Sequence, residues 1–409
     1  MGELMGSYRI QRPVARAATA AGPGSGLLAR FALAALAAAL CLASVAWAGP
    51  REQAKRMHDR IAGVPPSAAV LDQMAADIAA GRPLDAASRA LDSSAFYNVT
   101  LKNLVAPWTN REQSVFVPLN DYTATVIGMV RDDVPFNTVL SEDILYVGEG
   151  VAGVPAYSPT NNDHYEQLEQ RGADLRTVLQ RRTQSALSGI PAAATAGVVT
   201  TRAAAQAFFI AGTNRAMFRF TLMNHVCRDL EQVMDTTLPT DRIRQDVSRS
   251  PGGDSRVFLN NCVGCHTGMD PLAQAYAYYH YDETQTRLVY TPGQVQTKYF
   301  NNADTFRPGF VTPDDAWENR WRSGSNRILG WDSSLPGRGN GAKSMGQELA
   351  SSDAFAQCQV EKVFRAVCFR APSNVADRAR VQTIKAQFRA SNYSLKRVFA
   401  ETAVYCMGE

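Results

Sequence analysis

The sequence predicts a mainly α-helical fold with a few short β elements. Apolar residues recur at the spacing of one buried helix face, as at Ala54, Met57, His58 and Ile61. The stretches that show this period end at helix-stopping residues, Gly63 with Pro65-Pro66 after the first and Gly81 after the second. With 45% hydrophobic and 20% charged residues in 409, the composition is that of a globular protein, which argues against a disordered or multi-span membrane chain.

In chain order, amphipathic helices are expected over residues 51–61 and 68–80. Residues 93–150 mix β-branched and aromatic residues with turn signals and predict short helices with a strand or two. Residues 148–159 read as loop. Longer helices are expected over 162–188, over 200–234 with a break at Gly212, and over 352–369. One or two helical turns are expected over 254–261, and the Gly/Pro-rich stretch 335–341 reads as loop. Ser188-Gly189-Ile190-Pro191 interrupts the helical pattern, so the chain is divided into a helical N-terminal domain, 49–190, and a second domain, 191–409. No internal repeat is visible.

Residues 1–48 have the order of a secretory signal peptide. Arg9, Arg12, Arg16 and Arg30 face a single acid, Glu3, and precede the apolar run 31–48, which ends with Ala46 and Ala48 flanking Trp47 as an A-x-A cleavage site. No arginine pair precedes the run, which argues against twin-arginine export. The run is also just long enough to serve as an uncleaved membrane tether. The whole chain carries a formal charge of +4, and the leader supplies +3 of it. Residues 49–409 are therefore nearly neutral, with no basic run of the kind that binds nucleic acid.

Cys262-Val263-Gly264-Cys265-His266 is C-x-x-C-H, the attachment sequence for c-type haem. Two thiols at this spacing add to the two vinyl groups on one porphyrin edge, and the adjacent imidazole becomes the proximal iron ligand. A redox C-x-x-C pair would sit near a βαβ pattern, and a four-cysteine zinc site needs a second C-x-x-C. The sequence offers neither. An export signal agrees with haem, because covalent attachment of this type takes place outside the cytoplasmic membrane. The second domain is therefore expected to be a c-type cytochrome-like haem-binding domain. Phe258 and Leu259, just upstream, are expected to pack on the C-terminal helix.

The sixth ligand has three candidates. Met345, on a Gly-rich stretch before the helix at 352–369, is the first, with His280 among Tyr278, Tyr279 and Tyr281 as the second and an open position as the third. Met269 follows His266 by three residues and cannot round the porphyrin edge at about 3.3–3.6 Å per residue. His58, His164 and His225 read as ordinary packing residues. Trp317, Trp321 and Trp331 read as core aromatics with Arg320 and Arg322 in solvent, and propionate donation by these arginines is the lesser reading. The stretch from Gly337 to Ser344 departs from a phosphate-binding loop at Ala342.

Cys41 falls within the leader. Cys227, Cys358, Cys368 and Cys406 are expected to form disulfides in an oxidising compartment. Cys358 and Cys368 are ten residues apart on one expected helix, a rise of about 15 Å, and cannot bond each other. Of the two connectivities left, Cys227 with Cys358 and Cys368 with Cys406 is preferred.

Three stretches resemble the cytochrome c-containing proteins of planctomycetes, a family of unknown function. They are residues 196–200, continuing to 214–219 and Cys227; residues 262–271, in which Asp270-Pro271 follow the motif; and residues 348–350 leading into 355–360. The resemblance covers about residues 195–370 and implies a haem protein outside the cytoplasmic membrane. Cys368, Cys406 and residues 278–281 depart from the pattern. The expected function is that of an exported monohaem c-type cytochrome that transfers electrons to a redox partner protein, with iron held by His266 and Met345. Two alternatives are a haem oxidoreductase acting on peroxide, oxygen or an organic substrate through an open sixth position, and a binding or scaffold protein that haem stabilises.

Overall fold

The computed structural model describes residues 48–300 and 305–408. The basic stretch and apolar run of the expected export signal, with Cys41, lie outside them. Residues Gly49–Glu409 form one compact unit, and the position near residue 190 expected to divide the chain falls inside it. The architecture is mainly helical, with three two-stranded antiparallel sheets among the described residues.

Helix α1 (Pro50–Ala62) starts with proline at its first position and ends at Gly63, whose φ of 74° supplies the left-handed turn that stops it. Its buried residues include Ala54, Met57, His58 and Ile61, the positions the apolar spacing marks. Ser67 caps α2 (Ala68–Ala79) by accepting a hydrogen bond from the Val70 backbone N–H at 3.3 Å. Helix α2 packs on α1 and on α3 (Pro83–Leu91), and α1 and α3 in turn pack against the C-terminal helices at the end of the chain.

That end consists of α10 (Asp353–Cys368), α11 (Val375–Ala390) and α12 (Leu395–Cys406), mutually packed, with α12 lying on α1 and α3. The last carbonyls of a helix have no intrahelical partner. Here α1 provides them: Arg60 donates to the Cys406 carbonyl at 2.5 Å, Arg56 to Met407 at 2.6 Å and Gln53 to Gly408 at 2.8 Å. The guanidinium charges also suit the negative end of the helix dipole. Phe399 of α12 meets Phe96 edge to face at 4.9 Å, so polar and apolar contacts together close the chain onto itself.

Helix α4 (Asp121–Arg131) is buried from Asp121 through Val130. Strand β1 (Leu145–Gly148) lies against it and pairs with β2 (Leu179–Arg182) in the register Tyr146 opposite Arg181. Helix α5 (Asp163–Gln170) follows β1. The continuous helix expected over 162–188 is broken by Gly172, which takes φ of 60°, by Asp174, which caps a new short turn, and by β2, whose pairing with β1 overrides helical propensity.

The stretch expected over 200–234 is broken where expected, at Gly212 with φ of 66°, into α6 (Arg202–Phe208) and α7 (Arg215–His225), and ends at His225. Asn214 separates them in a left-handed conformation, φ 59°, because its side chain is drawn to the carbonyls of Tyr276 and Tyr279 at 2.8 and 2.9 Å. Beyond α7, Cys227 also has positive φ, where its disulfide to Cys358 turns the chain away.

The expected turns over 254–261 are present and run directly into α8 (Val263–Ala273). After α8 come the hairpin β3 (Tyr279–Asp282) with β4 (Arg287–Tyr290), and β5 (Ala316–Glu318), which pairs with β6 (Arg338–Asn340). Helix α9 (Gly341–Ala350) then occupies the stretch expected to be a Gly-rich loop. Gly346 is part of the reason: a Cβ there would overlap the Leu140 carbonyl oxygen, so glycine allows α9 to dock on that backbone.

Both disulfides have the preferred connectivity. Cys227–Cys358 joins α10 to the segment after α7 across a Cα separation of 5.3 Å, and Cys368–Cys406 joins α10 to α12 across 5.6 Å. The second closes a sequence separation of 38 residues, a loop whose cross-link is worth roughly 2–4 kcal/mol against the unfolded chain. Replacing Cys368 and Cys406 together by alanine is expected to lower unfolding free energy by about that amount, measured by chemical denaturation under oxidising conditions.

Candidate functional site

The motif enters α8 through a π-helical turn at Phe258–Cys262. At 100° per residue, Cys262, Cys265 and His266 fall on one face, while Gly264 and Gly268 fall on the opposite one. The glycine face is the packed side. A Cβ at Gly264 would stand 3.0 Å from the Met234 Cβ, and one at Gly268 would overlap Trp321 Nε1. The segment after α7 is hydrogen-bonded to this side: the Asp235 N–H donates to the Gly264 carbonyl at 2.9 Å, and Thr267 Oγ1 donates to the Asp235 carbonyl at 2.8 Å.

The other face carries the chemistry. Cys262 and Cys265 are half-buried free thiols, whereas Cys227, Cys358, Cys368 and Cys406 are all bridged. Burial, with the nearby charges of Glu231 and Asp229 and the Cys262 thiol, pushes the Cys265 thiol above its ordinary range. A thiol–disulfide exchange site requires the reverse, a thiolate held at low pKa.

His266 Nδ1 lies 3.1 Å from both carboxylate oxygens of Asp270, one helical turn on. An ionised carboxylate only accepts, so Nδ1 carries the proton, and it is Nε2 that holds the lone pair when the ring is neutral. Asp270 is fully buried. Burial works against its charge, but Arg215, then His266 and Arg244, hold its carboxyl well below the usual carboxylate range. Arg215 donates to Asp270 at 2.8 and 3.1 Å and to Asp246 at 2.6 and 2.8 Å. The Arg244 N–H donates to Asp270 at 3.3 Å, and its guanidinium lies over the Tyr299 ring at 4.9 Å.

Beside the thiols is a small apolar cluster, Ile243, Val247, Phe258 and Val263, with Cys262 packed against it. It borders a cavity of about 520 Å³ whose wall includes Phe258, Val263, Phe306, Phe310 and Arg249. Arg249 lies over the Phe258 and Phe306 rings at 5.0 and 4.4 Å and donates to the carbonyls of Val247 and Ile243 at 2.6 and 3.0 Å. Phe258 packs in this local cluster and Leu259 is exposed, rather than on the expected C-terminal helix at 352–369, because that helix, α10, packs on α11 and α12.

The donor set fits the group the motif calls for. Two unpaired thiols and an imidazole with free Nε2 share one helix face, next to apolar surface.

Met345 is placed differently. It is buried on α9, in the main core rather than in the cluster beside Cys262. Helix α9 packs on Gln274–Tyr276, which begins eight residues past His266, about 12 Å along the helix direction at 1.5 Å per residue. Met269 is buried in the main core. His280 sits on β3 opposite Val289, with its Nδ1 unpartnered. Burial, and secondarily the Lys298 charge, disfavour its imidazolium.

The remaining histidines are packing residues. His58 Nδ1 contacts the Val64 carbonyl at 2.9 Å, His164 Nε2 accepts from the Gly148 N–H at 2.9 Å, and His225 Nε2 meets the Tyr122 hydroxyl at 2.8 Å. Trp317 and Trp321 are buried, and Arg320 and Arg322 pair with Asp241 and Glu348. Among the described residues no helix is long and apolar enough to cross a membrane.

No protein-family model, curated protein or solved structure matches this chain.

Asp270, Arg215 and Arg244 are the functional residues that motif reading does not single out. Asp270 had a readable signal, its i+4 spacing from His266 on a helix. Arg215 falls in the stretch 214–219 of the resemblance, and Arg244, far from the motif in sequence, carries no such signal.

The glycine face makes its own prediction. Gly268→Val should force Trp321 off α8 and cost roughly 1–3 kcal/mol by overpacking, seen as a lower thermal midpoint. An unchanged midpoint would contradict the close approach.

Proposed function

We propose that Cys262, Cys265 and His266 hold one covalently attached haem c, and that the chain is an exported monohaem c-type cytochrome that passes electrons to a partner protein. The observation that carries this reading is the contrast among cysteines. Four are bridged, and the two of C-x-x-C-H stay free on the face shared with His266. The two bridges also support an oxidising, extracytoplasmic location.

Each thiol would form a thioether by adding across a vinyl group, sulfur to one carbon and hydrogen to the other. His266 would present Nε2 to the iron, with Asp270 retaining the proton on Nδ1. Bound there, haem supplies a one-electron couple whose potential follows axial ligation, hydrogen bonding and burial.

A haem oxidoreductase is the second reading, and the position of Met345 favours it. Met345 lies in the main core on a helix docked beyond the end of α8, so a haem held by His266 would be open to a small molecule unless His280 reached it.

The purified holoprotein is expected to give a pyridine haemochrome that survives acid-acetone extraction, and Cys262→Ser with Cys265→Ser should abolish it. Undiminished covalent haem in that variant would overturn the assignment. Optical and EPR spectra with and without carbon monoxide or cyanide separate the two readings. Low-spin iron indifferent to added ligand supports the electron carrier. A spectrum that shifts on addition supports the oxidoreductase.

A further inference from the structure

We propose that Asp270 is a positioning residue for His266, which fixes the ring with Nε2 presented outward and, through its hydrogen bond from Nδ1–H, lowers the iron potential. This rests on the haem assignment above and extends it to the residue that would set the couple.

The geometry is specific. Both Asp270 oxygens face Nδ1 at 3.1 Å, and the carboxylate cannot rotate away, because Arg215 holds both oxygens from the side and the Arg244 N–H donates to one of them. Arg215 is in turn fixed by two bonds to Asp246. A carboxylate behind a metal-bound imidazole fixes the tautomer and raises the basicity of the ligating nitrogen. A more basic ligand favours ferric over ferrous iron, so the potential falls. The cluster of Asp246, Asp270, Arg215 and Arg244 is neutral as a set, and removing Asp270 would leave it cationic, which raises the potential, as loss of the hydrogen bond to Nδ1 also does.

The test compares midpoint potentials of the wild-type holoprotein, Asp270→Asn and Asp246→Asn. Asp270→Asn is expected to shift the ferric-to-ferrous ratio at fixed potential at least tenfold toward ferrous, a rise of about 59 mV for one electron. Asp246→Asn removes an equal charge from the cluster but leaves the His266 bond, and is expected to shift the potential less. An unshifted potential in folded, haem-loaded Asp270→Asn overturns the proposal, as does an equal shift in Asp246→Asn. Should Asp270→Asn fail to fold, the wild type decides. In the low-spin ferrous holoprotein, carbon monoxide-bound if the sixth position is open, the His266 Nδ1 proton should exchange slowly with solvent, and exchange at the solvent rate overturns the proposal. A wild type without covalent haem overturns this inference and the haem assignment together, and is distinguished by its absent haemochrome before any variant is made.

Discussion

Arg215 binds two carboxylates at once, and the geometry of the motif depends on that pairing. It stands at the first position of α7, its partner Asp270 is on α8, and its other partner Asp246 is in the segment between them. Burying four charged side chains costs several kcal/mol per ion unless each is paired and hydrogen-bonded. Here the pairing is nearly complete, with only Arg244 Nε left without a partner among the charged nitrogens and oxygens of this cluster. A cluster built this way contributes little net stability over an apolar core. What it supplies is a single arrangement, because any shift of α7, α8 or residues 243–247 would leave a buried charge unpaired.

That arrangement has a consequence at the thiols. Ile243 and Val247 flank the ion pairs in sequence and provide two of the four side chains in the apolar cluster against Cys262. Arg249 continues the same segment, ties it down through backbone carbonyls and covers Phe258. The charged network therefore sets both partners of the motif face, the carboxylate behind His266 and the apolar wall beside Cys262. On the far side of α8, Gly264 and Gly268 let Asp235 and Trp321 approach closely. The helix is clamped from behind, and its reactive face is left half-buried.

What could be read from the sequence follows from how local the physics is. Helices α1, α2 and α10 were legible because their stop signals and caps are their own residues: Gly63 at the end of α1, Ser67 before α2 and Ser352 before α10. The motif was legible because its chemistry fits within five residues. The break in 200–234 was legible at Gly212, which takes a positive φ between α6 and α7. The break in 162–188 was not, since β2 depends on β1, a partner far along the chain. Met345 reads as a loop residue beside glycines, yet one of those glycines, Gly346, is what brings its helix against Leu140. The disulfide pairing was half legible, as helical rise excludes Cys358 with Cys368, but only tertiary packing selects Cys358 for Cys227.

The division of the core also bears on what a haem would do for this protein. A cofactor that organises a fold sits where the main apolar surface converges, and its loss exposes that surface. Here the main core runs from Ala54 in α1 to Cys406 in α12 and is filled by protein side chains such as Phe96, Phe136, Phe355 and Phe399. The motif face borders the small cluster of four residues at Cys262, and at Cys265 it borders Leu230, at the edge of the main core. Helix α1 is held to α12 by its arginines on the last α12 carbonyls, and α10 to α12 by a disulfide, both without reference to the motif. The scaffold therefore carries the motif at its margin. A haem held there would lie at the edge of the main core rather than fill it.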